Sequence, residues 1–252
     1  GYLRSRTSLP LTLIDNPLGT FNHICNRIVR DVWERKHAKF NSLDDGAIRH
    51  LLRLNVLLNA LDFHSPDFHN TWADEESIRA LVCKQFDAAA TAEFSPSLGG
   101  DTFLNEFIDY WLSPDRTAPA NIVYLTDNNG QLVISLKCIE AFLRRRPNLT
   151  ITLAPKNGQH GNDASWKDVE DLLEADANCE IPMFEPLRGF LESGRFVICQ
   201  DGPSTQGLHP GCISQKLCFY LCQLKKPAHY MILRCQFGEL MPAKVFPKFQ
   251  DF

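Results

Sequence analysis

The sequence lacks any long apolar run: no stretch approaches the roughly 18 consecutive apolar residues that a membrane-spanning helix requires. The first residues also lack the basic start, apolar stretch and small-residue cleavage site of a secretory signal. We therefore expect a soluble, cytoplasmic chain with no membrane partner. The 44% of hydrophobic residues in this chain of 252 are enough to bury a sizeable core within one domain.

Positive charge is also scarce. The 26 Lys and Arg residues are outnumbered by 30 Asp and Glu residues, whereas binding to a phosphate backbone usually needs a broad basic field. We expect no nucleic-acid partner. The nine cysteines include no CxxC pair, and their odd number argues against a disulfide framework. Reduced thiols in a cytosol-like compartment are therefore predicted.

The N-terminal half has the spacing of amphipathic helices. Apolar residues recur three and four apart from about residue 21 to residue 112. Asp44 and Asp45 predict one helix start, because a short acidic side chain accepts hydrogen bonds from the first free backbone amides. The segment Gly99-Gly100-Asp101 predicts another start.

After residue 118 the pattern changes to short β-rich runs that alternate with helical stretches. We predict strands at 121–126, 149–154, 195–200 and 229–233, and helices at 132–143, 166–173 and 213–222. This alternation predicts a Rossmann-like α/β/α sandwich with a mostly parallel sheet. The expected organisation is a helical sub-domain over 1–118 and an α/β sub-domain over 119–252, packed as one compact unit.

A basic run, Arg144-Arg145-Arg146, ends the first helix of the α/β part. Three adjacent guanidinium groups are one way to build an anion site. Cations in the last turn of a helix also complement the helix dipole, and we favour that interpretation.

Polar loops follow three of the predicted strands where each strand ends. Ligands bind beyond the carboxyl ends of parallel strands, so these loops are expected to meet at one edge of the sheet. Asp and Asn oxygens are hard ligands suited to Mg²⁺ or Mn²⁺, and glycines let backbone amides approach an anion. A single such loop is more often an ordinary turn, and the pairing of two favours a metal site. The loops are Asp127-Asn128-Asn129-Gly130, then Lys156-Asn157-Gly158 with His160-Gly161-Asn162-Asp163, and residues 201–207.

These segments resemble a known family, the metal-dependent damage-control phosphatases, also described as the acidic-residue methyltransferase-like family. Members have a DNxG segment after one strand and an aspartate after the next, which together hold a divalent metal behind a helical N-terminal part. The resemblance runs from about Asn121 to Phe246 and is carried by TDNNGQLV, LAPKNGQHGNDASWKDVEDL, FVICQDGPSTQGL and YMILRCQF.

The resemblance implies that Asp127, Asn128 and Asp163 bind the metal. Mn²⁺ or Mg²⁺ is expected, with Co²⁺, Ni²⁺ or Fe²⁺ as other candidates. It also implies that Lys156 contacts the phosphate of a substrate and that Lys156, Asp127 and Asp163 form the catalytic set. Which aspartate would act as nucleophile or base stays open. Further substrate contacts are expected from Asp201, Gly202, Ser204 and Arg234.

Three positions depart from the family pattern. Many members carry acidic residues where this chain has Gln131 and Ser135, and a lysine where it has Gln236. Metal binding tolerates these changes better than phosphate turnover does, since phosphoryl transfer needs a metal and fixed cations to neutralise the developing charge. The departures raise the hypothesis that the metal site is kept for another substrate.

Four functions stay open. The first prediction is a divalent-metal-dependent hydrolase that removes phosphate from a small anionic metabolite. The second is a family member that uses the metal for biosynthetic chemistry on a non-phosphorylated molecule. The third is a carboxyl methyltransferase, although only Asp-Asn-Asn-Gly follows the first strand where a glycine-rich loop is expected. The fourth is a non-catalytic binding module. The substrate and the oligomeric state are open.

Overall fold

The computed structural model describes residues 17–37, 43–62, 74–91, 100–158, 161–179, 182–199, 230–232 and 240–242. Its N-terminal part is helical, with α1 (Pro17–His37), α2 (Asp45–Leu57), α3 (Glu75–Ala88) and α4 (Gly100–Glu106). A 3-10 turn, Leu58–Leu61, continues α2, and a π-helical turn, Phe107–Trp111, continues α4. No helix within these ranges is long and apolar enough to cross a membrane.

The C-terminal part alternates strands and helices. Its elements are β1 (Ala120–Leu125), α5 (Gln131–Arg145), β2 (Leu149–Ala154), α6 (Trp166–Ala177), α7 (Glu185–Glu192), β3 (Phe196–Ile198), β4 (Tyr230–Ile232) and β5 (Leu240–Pro242). They form one five-stranded sheet in the order β3-β2-β1-β4-β5. The first four strands pair in parallel, and β5 runs antiparallel to β4 at the edge. The predicted α/β class with a mostly parallel sheet behind a helical part is confirmed.

The predicted strands lie within about two residues of their observed bounds at either end. Two elements had no prediction: β5, which has only three residues, and α7, which contains Pro186 and Gly189. Both residue types are poor helix formers, which hides a short helix from pattern analysis. The helix predicted at 213–222 lies outside the described residues. The boundary between residues 118 and 119 stays a prediction.

Local capping explains where several helices begin. Asp44 is the N-cap of α2, and its carboxylate accepts a hydrogen bond from the Ala47 amide at 2.7 Å. Ser165 caps α6 in a reciprocal box with Asp168, in which each side chain accepts from the other residue's backbone amide. This box places the start of α6 directly after the loop that follows β2.

The helical and α/β parts share one hydrophobic core. A continuous cluster of buried side chains extends from Cys25 on α1 to Phe196 on β3. Helices α1 and α2 both pack against α5. The rings of Phe107 and Phe142, one from each part, meet edge to face at 5.3 Å between centroids. The loops at the strand ends are therefore bordered by helices from the N-terminal part.

The basic run at the end of α5 joins the two parts. Arg145 donates to the carbonyl oxygens of Leu43 and Leu112, both at 3.0 Å. Arg146 donates to the Trp111 carbonyl at 2.6 Å and is itself buried. These guanidinium groups are engaged by backbone oxygens of the helical part. Arg145 and Arg146 therefore connect the two parts, a structural role in addition to the helix-dipole interpretation favoured from the sequence.

Candidate metal centre

The loops after β1 and β2 meet through backbone hydrogen bonds. Asn128 and Asp163 form an isolated antiparallel bridge, and Lys156 forms a parallel bridge with Ser165. The Ala164 amide donates to the Asp127 carbonyl at 2.5 Å. The strand-end positions predicted from the sequence as metal ligands, Asp127, Asn128 and Asp163, are thus adjacent in the fold, with Lys156 beside them.

The four candidate side chains are largely withdrawn from solvent. Asp127 is 9% exposed, Asn128 is 1% exposed and Lys156 is 4% exposed. Lys156 Nζ lies 3.5 Å from Asp163 Oδ2. A buried carboxylate is costly unless a cation or hydrogen-bond donors compensate its charge. Lys156 supplies one such cation to Asp163.

The side-chain oxygen of Asn128 has no hydrogen-bond partner in the described part of the chain. Its Nδ2 donates to Asn59 Oδ1 at 3.0 Å, while its Oδ1 is buried and accepts no hydrogen bond from the described residues. A buried acceptor left in this condition costs about 1 to 3 kcal/mol, and a bound cation or donor removes that cost. Amide and carboxylate oxygens are donors of the kind that Mg²⁺ or Mn²⁺ accepts, and the residues Asp127, Asn128 and Asp163 supply both. The residues present therefore fit a divalent ion.

Asn26 on α1 binds the loop after β1, and Gly130 within that loop allows it to lie against the helical part. The Asn26 side chain on α1 accepts from the Gly130 amide at 2.6 Å and donates to Asn129 Oδ1 at 2.8 Å. Gly130 has φ of 84°, which favours glycine, and a Cβ there would come within 2.6 Å of Leu61 Cδ1. The loop can therefore approach the helical part only because this position has no side chain.

Two of the three departures from the family pattern, Gln131 and Ser135, belong to a buried neutral network. Asn55 donates to the Tyr124 hydroxyl at 2.6 Å and accepts from Ser135 Oγ at 3.2 Å. Gln131 donates from Nε2 to the Asn55 backbone carbonyl, and its own Oε1 has no partner among the described residues. Gln131 and Ser135 thus connect α5 to α2 through uncharged groups.

The contribution of the helical part to this centre was not predicted from the sequence. Asn26, Asn55 and Asn59 all contact the loop after β1 or the helix that follows it. The available signal was a pair of asparagines four residues apart within an apolar stretch that reads Leu54 to Leu61. Buried amides in such a stretch need partners, and here the partners lie about 70 residues further along the chain.

A cleft of about 600 Å³ adjoins the loops and lies between α1 and α6. Its lining includes Asn26, which binds the Gly130 amide, and Ser165, which forms the bridge with Lys156. Its walls carry charged groups of both signs and the aromatic ring of Trp166. A cleft of this size suits a small molecule.

Several predicted site residues cannot be placed. Asp201, Gly202, Ser204 and Arg234 lie outside the described residues, as does Gln236. Within the described ranges, no group of three or more His, Cys, Asp or Glu side chains could hold a metal ion. The candidate centre contains two carboxylates, Asp127 and Asp163, and the amide oxygen of Asn128, so it is not a group of that composition.

Comparison with known proteins identifies the family. The model of the damage-control phosphatase ARMT1-like domain matches residues 22–224, which is more than half of the chain. A crystal structure of a DUF89 family protein from Pyrococcus horikoshii is similar at 19% identity with a TM-score of 0.48, over 80% of this chain and 56% of that one. No curated protein matches the sequence significantly. The family match confirms the resemblance seen in the sequence, and the chain belongs to the ARMT1-like family of damage-control phosphatase domains.

Proposed function

We propose that this chain is a divalent-metal-dependent phosphoric monoester hydrolase that acts on a small anionic metabolite. The observation that carries the proposal is the unpaired, buried Oδ1 of Asn128, which lies on the loop that also bears Asp127 and bridges to Asp163. Asp127, Asn128 and Asp163 would hold Mn²⁺ or Mg²⁺. Co²⁺, Ni²⁺ and Fe²⁺ are the other candidates.

Lys156, Asp127 and Asp163 would have separate roles in the hydrolysis of the phosphate ester. Lys156 binds an oxygen of the phosphate and helps neutralise its charge. The bound ion supplies Lewis acidity and orients the phosphate. One of the two aspartates, Asp127 or Asp163, accepts a proton or attacks phosphorus, and the choice between them is left to experiment. The net reaction consumes one water, breaks the ester P–O bond and releases an alcohol and inorganic phosphate.

The cleft between α1 and α6 would receive the organic part of the substrate. Its lining combines the ring of Trp166 with cations on both helices, including Arg27 and Lys167. Arg27 Nη2 lies 2.6 Å from Glu75 Oε1, so the positive charge of Arg27 is partly neutralised. A polar, anionic molecule of modest size suits this mixture better than an apolar one. Because Trp166 lines the cleft, quenching of its fluorescence offers a direct binding signal.

The neutral network of Gln131, Ser135 and Asn55 favours a second candidate function. With fewer carboxylates around the ion, the site would accept an anionic substrate of another kind, such as a carboxylate. This candidate is a metal-dependent enzyme of the same family that acts on a non-phosphorylated molecule. A substrate panel that includes hydroxy acids and amino acids separates the two.

The decisive experiment is a screen of phosphorylated metabolites with Mn²⁺, Co²⁺ and Mg²⁺, read by phosphate release. The matched control is Asp127→Asn, which keeps the volume of the side chain and removes its charge. We expect at least one metabolite to be hydrolysed by the wild-type protein, and the variant to lose most of the activity together with its bound metal. A wild-type protein that binds metal but releases no phosphate favours the second candidate. One that binds no metal favours the non-catalytic module.

A further inference from the structure

Two amide side chains after β1 are held by one short helical stretch of the N-terminal part. Asn128 Nδ2 donates to Asn59 Oδ1 at 3.0 Å, and Gln131 Nε2 donates to the backbone carbonyl of Asn55. Asn55 and Asn59 are four residues apart on the continuous helical segment formed by α2 and its 3-10 turn. The same side of that segment therefore contacts both residues.

Both contacts engage the nitrogen end of the amide and leave the oxygen end unpaired. Asn128 Oδ1 and Gln131 Oε1 are buried, and neither has a hydrogen-bond partner among the described residues. A backbone carbonyl can only accept, so the Asn55 contact fixes which end of Gln131 faces the helix. The Gln131 amide therefore cannot exchange its two ends without losing this hydrogen bond, and Asn128 keeps its own orientation as long as Asn59 presents its oxygen.

The orientation matters because a metal ion binds the oxygen of an amide and is repelled by its N–H groups. If Asn128 turned by 180° about its last bond, it would present hydrogens to the ion in place of the oxygen. Partners that orient a metal ligand are worth about 10 to 100-fold in metal affinity in well-studied sites. Asn59 has the position and the acceptor atom for this role.

We propose that Asn59 is a positioning residue of the metal centre, which holds the Asn128 amide so that its oxygen faces the ion. This inference rests on the proposed function, since it assumes the metal at Asp127, Asn128 and Asp163. It adds a residue from the helical part, 69 positions away from Asn128 in the sequence, to a site otherwise built from strand-end loops. It also gives the helical part a reason to pack against the loop after β1.

The test compares two substitutions of Asn59 by calorimetric titration of the full chain with Mn²⁺ alone. Asn59→Leu keeps the approximate volume and removes the acceptor. Asn59→Asp keeps the size and an acceptor oxygen for Asn128 Nδ2. We expect Asn59→Leu to weaken Mn²⁺ binding by about tenfold or more, and Asn59→Asp to stay within about threefold of the wild-type affinity or to tighten it.

Asn148→Leu is the matched control for general loss of an amide contact. Asn148 donates from its side chain to the Thr117 carbonyl at 2.8 Å, on an exposed turn before β2. This variant should bind Mn²⁺ as the wild type does. Thermal unfolding of all variants in the absence of metal shows whether Asn59→Leu is folded at the titration temperature, and Asn59→Ala, which also lacks the acceptor, serves in its place if it is not.

The outcomes separate this inference from the proposed function. If the wild type binds Mn²⁺, Asp127→Asn abolishes binding and Asn59→Leu binds as tightly as the wild type, the positioning role is wrong while the metal centre stands. The role is equally wrong if Asn59→Asp is as weak as Asn59→Leu, because the acceptor atom would then not matter. If the wild type binds no Mn²⁺, the proposed metal centre itself fails, and the role of Asn59 fails with it.

Discussion

Lys156 Nζ lies 3.5 Å from Asp163 Oδ2, and the two side chains are only 5% and 15% exposed. The sequence predicted different tasks for them, with Asp163 as a ligand of the metal and Lys156 as a contact to the substrate. Their proximity places a fixed cation at the border of the ligand set. A phosphate bound to the ion through one oxygen would find this ammonium group beside it.

Replacement of the cation should separate substrate binding from metal binding. We expect Lys156→Met to retain the wild-type metal stoichiometry and to weaken phosphate binding by about tenfold or more, since hydrogen bonds to charged groups contribute about 1.5 to 3 kcal/mol. Elemental analysis and a phosphate titration measure the two effects. Lys84→Met is the control, because Lys84 is exposed on α3 and does not line the cleft. Loss of bound metal in Lys156→Met would contradict the assignment.

The neutral side chains near the centre predict cooperation between metal and anion. Gln131 and Ser135 carry no charge, so among the described members of the centre only Asp127 and Asp163 oppose the positive charge of the ion. An anion that completes the ligand shell should then tighten Mn²⁺ binding by about fivefold or more, and Mn²⁺ should tighten anion binding by the same factor. Calorimetry with phosphate and with a panel of carboxylates measures this. No enhancement by any anion would oppose an enzymatic role.

Substitution of Gly130 should destabilise the protein more than substitution of another glycine with a positive φ. Gly130→Ala combines an unfavourable φ of 84° with a Cβ 2.6 Å from Leu61 Cδ1, inside the core. We expect a loss of about 2 to 4 kcal/mol in the free energy of unfolding. Gly194→Ala isolates the backbone contribution, because φ is 70° there and no atom lies within 4 Å of the new Cβ. That variant should lose about 1 to 2 kcal/mol. Equal losses in urea unfolding would show that the contact with Leu61 is unimportant.

Substitution of Asp176 should lower the free energy of unfolding more than substitution of most other charged residues. Its carboxylate is fully buried, lies 3.1 Å from Arg30 Nη2 and accepts hydrogen bonds from the Met183 and Phe184 amides at 2.8 Å each. Asp176→Ala leaves these donors unpaired, and we expect a loss of about 3 to 5 kcal/mol in the free energy of unfolding.

Asp171→Ala provides the contrast for this prediction. Asp171 lies 2.7 Å from Lys167 Nζ, but both side chains are more than half exposed. Solvent screens such a pair, so the change should stay within about 0.5 kcal/mol. If the two aspartates gave similar effects, the buried carboxylate would not be the anchor between α6 and the segment before α7.

Cysteine reactivity should follow burial. Burial raises the pKa of the Cys25 thiol well above its usual range, so very little of the reactive thiolate forms in the folded state. Cys83 and Cys179 are partly exposed. Iodoacetamide should therefore modify Cys83 and Cys179 in the folded protein and leave Cys25 intact, as read by peptide mass mapping. In denaturant all three should react alike. Rapid labelling of Cys25 without denaturant would contradict its burial in the core.

Much of this protein was determined by short stretches of its own sequence. The side chains of Asp44 and Ser165 accept hydrogen bonds from backbone amides three residues away and thereby set the starts of α2 and α6. The sequence predicted a helix start at Asp44 and a helix from residue 166. The strands β1 and β2 follow from compact apolar runs, and polar loops follow both of them. Parallel pairing then brings the two loops to one edge. The candidate ligands Asp127, Asn128 and Asp163 were named from the resemblance of these loops to the family, before the fold was known.

Only the tertiary structure decided how those ligands are oriented and what surrounds them. Asn26 and Asn59 contact Asn129 and Asn128 across 103 and 69 residues of sequence, and no periodic pattern encodes which distant group a buried amide will find. The same holds for the requirement for glycine at Gly130, which arises from the position of Leu61 in a different part of the chain. Local propensity acts over one or two helical turns, whereas packing chooses between partners on the basis of the whole core. The candidate metal loop could therefore be recognised from the sequence, but the helices that contact it could not.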